Sequence, residues 1–193
     1  MSRLLRLSVL LLAAACGGGD YKAPRNLDNA CAIVQERPKY LKAMRKTERK
    51  WGVPVHVQMA VIHQESKFIG DAKTPFRYAL GVIPLGRQSS AYGYAQALND
   101  TWEEYKLETR NRRADRDDIA DATDFMGWYM TKTYQALGIP VWDIRNQYLA
   151  YHEGRNGYAR QSYNAKPWLL LVASNMENRS DRYRQQLIAC GKA

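Results

Sequence analysis

The hydrophobic positions of this chain recur mainly with the period of an α-helix. Apolar side chains three and four residues apart are typical of helices that bury one face. Strand-like alternation is not sustained, apart from a short stretch at residues 78–83. The pattern therefore predicts an all-α fold with at most a minor β element. The predicted helices cover residues 29–35, 39–51, 54–66, 102–109, 116–137, 144–153 and 167–189.

The helix opened by Pro54 is the most apolar of these and is expected to be central. Val55, Met59 and Ile62 recur on one face, and Glu65 follows three residues later on that same face. Desolvation and the negative end of the helix dipole both disfavour a carboxylate there, so we expect a raised pKa and a proton donor near neutral pH. A glutamate at a helix end is more often simply solvated or a backbone cap. The catalytic interpretation of Glu65 therefore depends on residues elsewhere.

The first residues resemble an export signal. Arg3 and Arg6 give a positive start, residues 7–12 are apolar, and residues 13–15 are alanines directly before Cys16. The apolar run is too short to span a bilayer as a helix. The alanines and Cys16 resemble the lipobox of bacterial lipoproteins, with alanine at residue 13 where leucine is usual. That resemblance implies that Cys16 is lipidated; ordinary secretion with a nearby cut is the alternative.

This interpretation divides the chain into three parts. Residues 1–15 are a signal peptide, residues 16–27 a lipid-anchored flexible tether, and residues 28–193 a single folded domain. The lipoprotein resemblance implies a periplasmic protein anchored to the outer membrane.

The cysteine count fits such a compartment. With lipid on Cys16, Cys31 and Cys190 remain as a pair that can form a disulfide. Two unrelated buried thiols are the competing interpretation.

Composition narrows the class of partner. With 193 residues, 46% of them hydrophobic, the chain can bury the core of one domain. Its net charge of +10 favours polyanions or anionic surfaces. The most basic stretch, residues 110–118, is broken by acids and lacks aromatic side chains, so we expect no nucleic-acid partner. The three histidines, His56, His63 and His152, lack metal-ligand spacing, and we expect neither a metal nor another cofactor.

Three separated segments resemble one family. Glu65-Ser66 ends an apolar helix, residues 91–96 read Ala-Tyr-Gly-Tyr-Ala-Gln with Thr101 five residues later, and residues 150–154 read Ala-Tyr-His-Glu-Gly. In order and approximate spacing they resemble the Glu-Ser, Gly-Leu-Met-Gln and Ala-Tyr-Asn-Ala-Gly segments of lytic transglycosylases. These enzymes carry an SLT domain that is similar to goose-type lysozyme. The resemblance covers about residues 51–158 and implies a lysozyme-like α-helical fold.

The resemblance also implies an activity. Lytic transglycosylases cleave the bond between N-acetylmuramic acid and N-acetylglucosamine in peptidoglycan without water and leave a 1,6-anhydro product. By analogy Glu65 acts as acid and then base. Substrate contacts fall to Ser66, Tyr94, Gln96, Tyr151 and Glu153, with Tyr94 as a cleft wall and with Gln96 and Tyr151 positioning the sugar. Protein partners are not indicated.

The departures from the family pattern leave other functions open. Tyr94 and Ala95 stand where the family has Leu and Met, and His152 and Glu153 stand where it has Asn and Ala. A lysozyme-like hydrolase would need a base for water, for which Glu153 or Asp71 is a candidate. A non-catalytic wall-binding lipoprotein is the second alternative, because a fold does not guarantee an activity.

Overall fold

The predicted helices are present, with one hairpin between the third and the fourth. A computed structural model describes residues 21–80 and 83–193. The all-α prediction with a minor β element is confirmed. The helices are α1 (Ala30–Glu36), α2 (Pro38–Trp51), α3 (Val55–Ser66), α4 (Asn99–Thr109), α5 (Ile119–Leu137), α6 (Ile144–Ala159) and α7 (Pro167–Ala189), and a short 3-10 helix covers Ser162–Ala165. Strands β1 (Phe76–Ala79) and β2 (Ile83–Arg87) pair antiparallel.

Helix α3 lies in the centre of the hydrophobic core. Val57, Met59 and Ile62 have no exposed surface, and the helix packs against α2 and α7. A helix that is apolar on all sides is stable only when other elements surround it. The core therefore fixes the axis of α3, and with it the position of Glu65 in the last turn.

Helix α5 begins later than the sequence predicted. The sequence predicted a helix over residues 116–137, but α5 starts at Ile119 and Asp118 is its cap. The Asp118 carboxylate accepts hydrogen bonds from the backbone N–H groups of Ala120 and Asp121, which otherwise lack partners in the first turn. Several aspartates in a row made the cap ambiguous in the sequence.

The sequence predicted that α6 ends at residue 153, but the helix continues past Gly154. Gly154 has φ 72° and ψ 156°, which kinks the helix, and the chain then resumes a helical path to Ala159. Residues 155–159 are thus helical, not part of a loop. The positive φ that marks many helix ends here only redirects the helix, because the side chain of Glu153 binds Ser162 and Lys166 and draws the following chain back.

The segment directly before the domain is packed against it. Pro24 is buried, the carbonyl of Tyr21 accepts a hydrogen bond from the N–H of Gly70, and the carbonyl of Leu27 accepts one from the hydroxyl of Tyr183. Residues 21–27, which the sequence assigned to the tether over residues 16–27, thus have partners on the domain for their apolar and backbone groups. The predicted signal peptide and Cys16 lie outside the described residues. Within the described ranges, no helix combines the length and apolarity needed to cross a membrane.

A disulfide joins the two ends of the domain. Cys31 in α1 and Cys190 directly after α7 are bonded, with their Cα atoms 6.4 Å apart. The bridge closes a loop that spans 159 residues of sequence. Such a cross-link stabilises mainly by restricting the unfolded chain.

We expect the Cys31→Ser, Cys190→Ser double variant to lower the free energy of unfolding by at most about 5 kcal/mol, because the closed loop is long. Urea unfolding with and without reductant measures the effect. Reductant should destabilise the wild type and leave the double variant unchanged. Equal stability of the wild type and the double variant without reductant would contradict a stabilising contribution from the disulfide.

Candidate active site

Glu65 lies at a cleft between α3, α5, α6 and the segment over residues 89–101. The cleft has a volume of about 610 Å³. The residues that line it include Glu65, Gln96, Tyr129, Tyr148, Tyr151 and His152. The structure therefore brings the three segments that carried the family resemblance to one place.

The carboxyl of Glu65 is held in surroundings that disfavour its charge. Protein atoms enclose it on most sides, although part of the residue stays open to the cleft. Burial raises the pKa of Glu65 to about 8, and the positive charge of Lys67 acts weakly in the opposite direction. Lys67 itself ends α3 in a left-handed conformation, with φ 53°. Among the described residues, none donates a hydrogen bond to the Glu65 carboxyl, so nothing there offsets the desolvation that favours its protonated form.

The charge that Glu65 can carry affects the pKa values of two tyrosines of α6. Burial, and then the negative charge that Glu65 can carry, raise the pKa values of Tyr148 and Tyr151, so both are neutral phenols. The Tyr151 hydroxyl donates to the carbonyl of Ala95 at 2.7 Å, and its ring packs edge-on against Tyr129 with centroids 4.8 Å apart. Tyr151 thus ties residues 91–97 to α6 and presents only its ring to the cleft.

Gln96 holds the bend of the same segment and keeps one atom free. Its Nε2 donates to the carbonyls of Ala72 and Gly93, both at 2.9 Å. Because both partners are acceptors, the amide nitrogen must be the atom that faces them. Within the described ranges, no donor reaches its Oε1, which can therefore accept a hydrogen bond in the cleft.

Tyr94 and Ser66 do not have the positions that the sequence suggested. Tyr94 is 1% exposed, and its hydroxyl lies 3.1 Å from that of Tyr40 in the core, so it is not a cleft wall. Ser66 is buried, and its hydroxyl donates back to the carbonyl of Ile62. The bend at Gly93 turns the Tyr94 side chain inwards, where the family has an apolar leucine.

Glu153 lines the cleft but does not offer a free carboxylate. Its side chain is 5% exposed and forms an ion pair with Lys166 at 2.6 Å. The Ser162 hydroxyl and the Nδ1 of His152 also bind it, the latter at 2.9 Å. Its hydrogen bonds with Lys166, Ser162 and His152, in that order, lower the pKa of Glu153 to about 2. An oxygen held by these donors is a poor base for water or nucleophile for a sugar.

Sequence reasoning overlooked Tyr129, Tyr148 and the position of His152. Tyr148 precedes Tyr151 and His152 by three and four residues, which places all three on one face of α6. That spacing was available in the sequence. In the described part of the chain, no group of His, Cys, Asp and Glu is arranged to hold a metal ion.

The comparison with known families identifies the class of protein. The family model described as Transglycosylase SLT domain matches residues 4–190, nearly the whole chain. The chain belongs to this family, whose members have a lytic transglycosylase-like function on peptidoglycan. No curated protein shows a significant match to the chain.

The conformation of residues 91–97 depends on Gly93. This residue has φ +81°, and a Cβ placed on it would overlap the carbonyl oxygen of Arg116, which accepts a hydrogen bond from the N–H of Tyr94 at 3.2 Å. Gly52 has a similar φ of +75° but open space around the site of a Cβ.

We therefore expect Gly93→Ala to destabilise the protein by several times the effect of Gly52→Ala. The Gly52 change costs only the left-handed conformation of an alanine, about 1–2 kcal/mol, whereas the Gly93 change also displaces backbone. Urea unfolding of the two variants compares them directly. Equal losses would show that residues 91–97 can move away from Arg116 at no cost.

The raised pKa of Glu65 makes stability depend on pH. Between the ordinary value of 4.5 and about 8, the folded protein keeps a proton that the unfolded chain has lost. The free energy of unfolding should therefore fall as pH rises across this window, by at most about 1.4 kcal/mol per unit, and by less because the cleft admits water. Glu65→Gln should remove this dependence.

Urea unfolding of wild type and Glu65→Gln at about pH 5 and about pH 9 covers most of that window. The advantage of the variant should be larger at the higher pH. An advantage that does not change with pH would mean that Glu65 titrates normally.

Proposed function

We propose that this protein is a peptidoglycan lytic transglycosylase with Glu65 as its only catalytic carboxyl group. The bond that it cleaves is the β-1,4 bond between N-acetylmuramic acid and N-acetylglucosamine. The observation that carries this proposal is a carboxyl group that opens to a cleft, accepts no hydrogen bond from any described residue, and has its pKa raised to about 8 by burial. Membership of the SLT family supports the substrate class.

The first step is protonation of the leaving group. Neutral Glu65 donates its proton to the glycosidic oxygen while the bond from that oxygen to C1 breaks, which leaves positive charge at C1. The 2-acetamido group of the sugar can stabilise this centre. Because burial disfavours the new carboxylate, Glu65 becomes a strong enough base to take a proton back.

The second step regenerates the acid without water. The carboxylate of Glu65 accepts the proton of the muramoyl 6-hydroxyl while O6 bonds to C1, which closes the 1,6-anhydro ring. The proton count is then restored, and no hydroxide is consumed. Oε1 of Gln96 is suited to accept a hydrogen bond from the sugar near this centre, and the rings of Tyr148 and Tyr151 exclude water from one side.

The state of Glu153 favours this reaction over hydrolysis. A hydrolase with two carboxyl groups needs the second one as base or nucleophile. Of the carboxylates that line the cleft, Glu153 is held by Lys166, His152 and Ser162. A lysozyme-like hydrolysis is thus the weaker candidate, and a non-catalytic wall-binding protein has no use for a raised pKa at Glu65.

We further propose that the protein acts in the periplasm from a lipid anchor on Cys16, at the outer membrane. This proposal rests on the sequence of residues 1–16 alone. The net charge of +10 would favour contact with anionic wall polymer.

Digestion of purified sacculi tests the mechanism. Glu65→Gln should release soluble muropeptides at least about 10²-fold more slowly than wild type, because general acid catalysis contributes that much or more. The exposed Glu103 in α4 provides a matched control, and Glu103→Gln should keep full activity. Retained activity of Glu65→Gln would overturn the role assigned to Glu65.

Mass spectrometry of the products distinguishes the three functions. Anhydromuramoyl ends support the transglycosylase, since their mass is lower by one water than that of a reducing end. Reducing ends would instead establish hydrolysis. Binding of wild type to sacculi with no release at all would indicate a wall-binding protein.

A further inference from the structure

His152 is a cleft residue whose imidazole is fixed in one tautomer. Its Nδ1 lies 2.9 Å from Oε1 of Glu153, and Lys166 holds the same carboxylate at 2.6 Å. An ionised carboxylate can only accept hydrogen bonds, so Nδ1 must carry the hydrogen. The Nε2 of the neutral ring is then a hydrogen-bond acceptor, and none of the described residues donates to it.

Trp168 lies directly beside this histidine. It stands in the first turn of α7 and is 54% exposed, and its ring meets His152 edge-on with centroids 5.1 Å apart. A single exposed apolar side chain is normal on a protein surface. This one, however, contacts a residue that lines the cleft, so an exposed aromatic ring lies next to a directed polar atom.

We propose that His152 and Trp168 form a sugar-binding subsite that extends the cleft towards α7. The face of Trp168 packs against the C–H face of a pyranose ring, and Nε2 of His152 accepts a hydrogen bond from a hydroxyl or amide N–H of that sugar. The substrate class rests on the proposed function, because the occupant is a further unit of the glycan strand in the cleft.

The surrounding contacts hold these two side chains before a ligand arrives. Glu153 is anchored by Lys166 and Ser162, and the ring of His152 also packs near Tyr148, with centroids 6.5 Å apart. A subsite that is already ordered loses little conformational entropy on binding. The chain has His and Glu together where the family resemblance places Asn and Ala, so this pair is a feature of this chain and not of the motif.

Binding of N-acetylglucosamine oligomers, from dimer to hexamer, measures the subsite. The titrations use Glu65→Gln protein, so that no substrate is cleaved, and are followed by calorimetry. In that background, Trp168→Ala should weaken the affinity for the hexamer by about tenfold. The affinity for the shortest oligomer that binds should not change. The matched control is Trp142→Ala, which removes a tryptophan that is 65% exposed and makes no ring contact with the described residues that line the cleft, and it should change neither affinity.

His152→Phe keeps an aromatic ring beside Trp168 but removes Nε2. This variant should also weaken the affinity for the hexamer by several-fold. Thermal unfolding checks that the variant is folded. The ¹⁵N shifts of the His152 imidazole in unliganded protein should show the Nδ1–H tautomer. The opposite tautomer would overturn the hydrogen-bonding role of His152.

The possible outcomes separate the two proposals. If the oligomers bind but Trp168→Ala loses no more affinity for the hexamer than Trp142→Ala does, the subsite is wrong and the proposed function stands. If no oligomer binds the Glu65→Gln protein and sacculi are not cleaved by wild type, the proposed function fails and the subsite fails with it.

Discussion

The cleft of this protein contains one carboxyl group that is desolvated at the end of a buried helix. Helix α3 is surrounded by α2 and α7, so its last turn leaves the core at a fixed point. There Glu65 is enclosed on most sides, and burial raises its pKa to about 8. A carboxyl on a surface helix would be ionised at the same pH. The hydrophobic core therefore raises the pKa of this carboxyl group and also sets its position.

A second constraint keeps the opposite wall of the cleft in place. Residues 91–97 form an irregular segment, whose backbone groups need partners other than those of a helix or sheet. Gln96 and Tyr151 supply such partners by binding the carbonyls of Ala72, Gly93 and Ala95. These polar side chains thus stabilise the protein's own backbone at the cleft. The Oε1 of Gln96 has no hydrogen-bond donor among the described residues.

The two glutamates of the cleft differ in their hydrogen-bond partners. Glu153 is surrounded by a lysine, a histidine and a hydroxyl, so it stays ionised and fixes the tautomer of His152. Glu65 has no such donors among the described residues. The pKa shifts of these two identical side chains thus have opposite directions, because Glu153 is held by hydrogen-bond donors and Glu65 is desolvated without them. The same division places the hydrogen-bond acceptor of His152 next to Trp168, at the α7 side of the cleft.

Local spacing in the sequence was enough to predict the helices, the central place of α3, and the presence of Glu65 on its buried face. Three short segments also indicated the family. The sequence misplaced Tyr94, Ser66, the start of α5 and the end of α6. Whether a tyrosine faces the core or a cleft depends on a backbone turn at Gly93, and whether Glu153 is a free base depends on Ser162 and Lys166 further along the chain. These points could be seen only in the folded protein, since the direction of a side chain and its hydrogen-bond partners are set by contacts between segments that are distant in sequence.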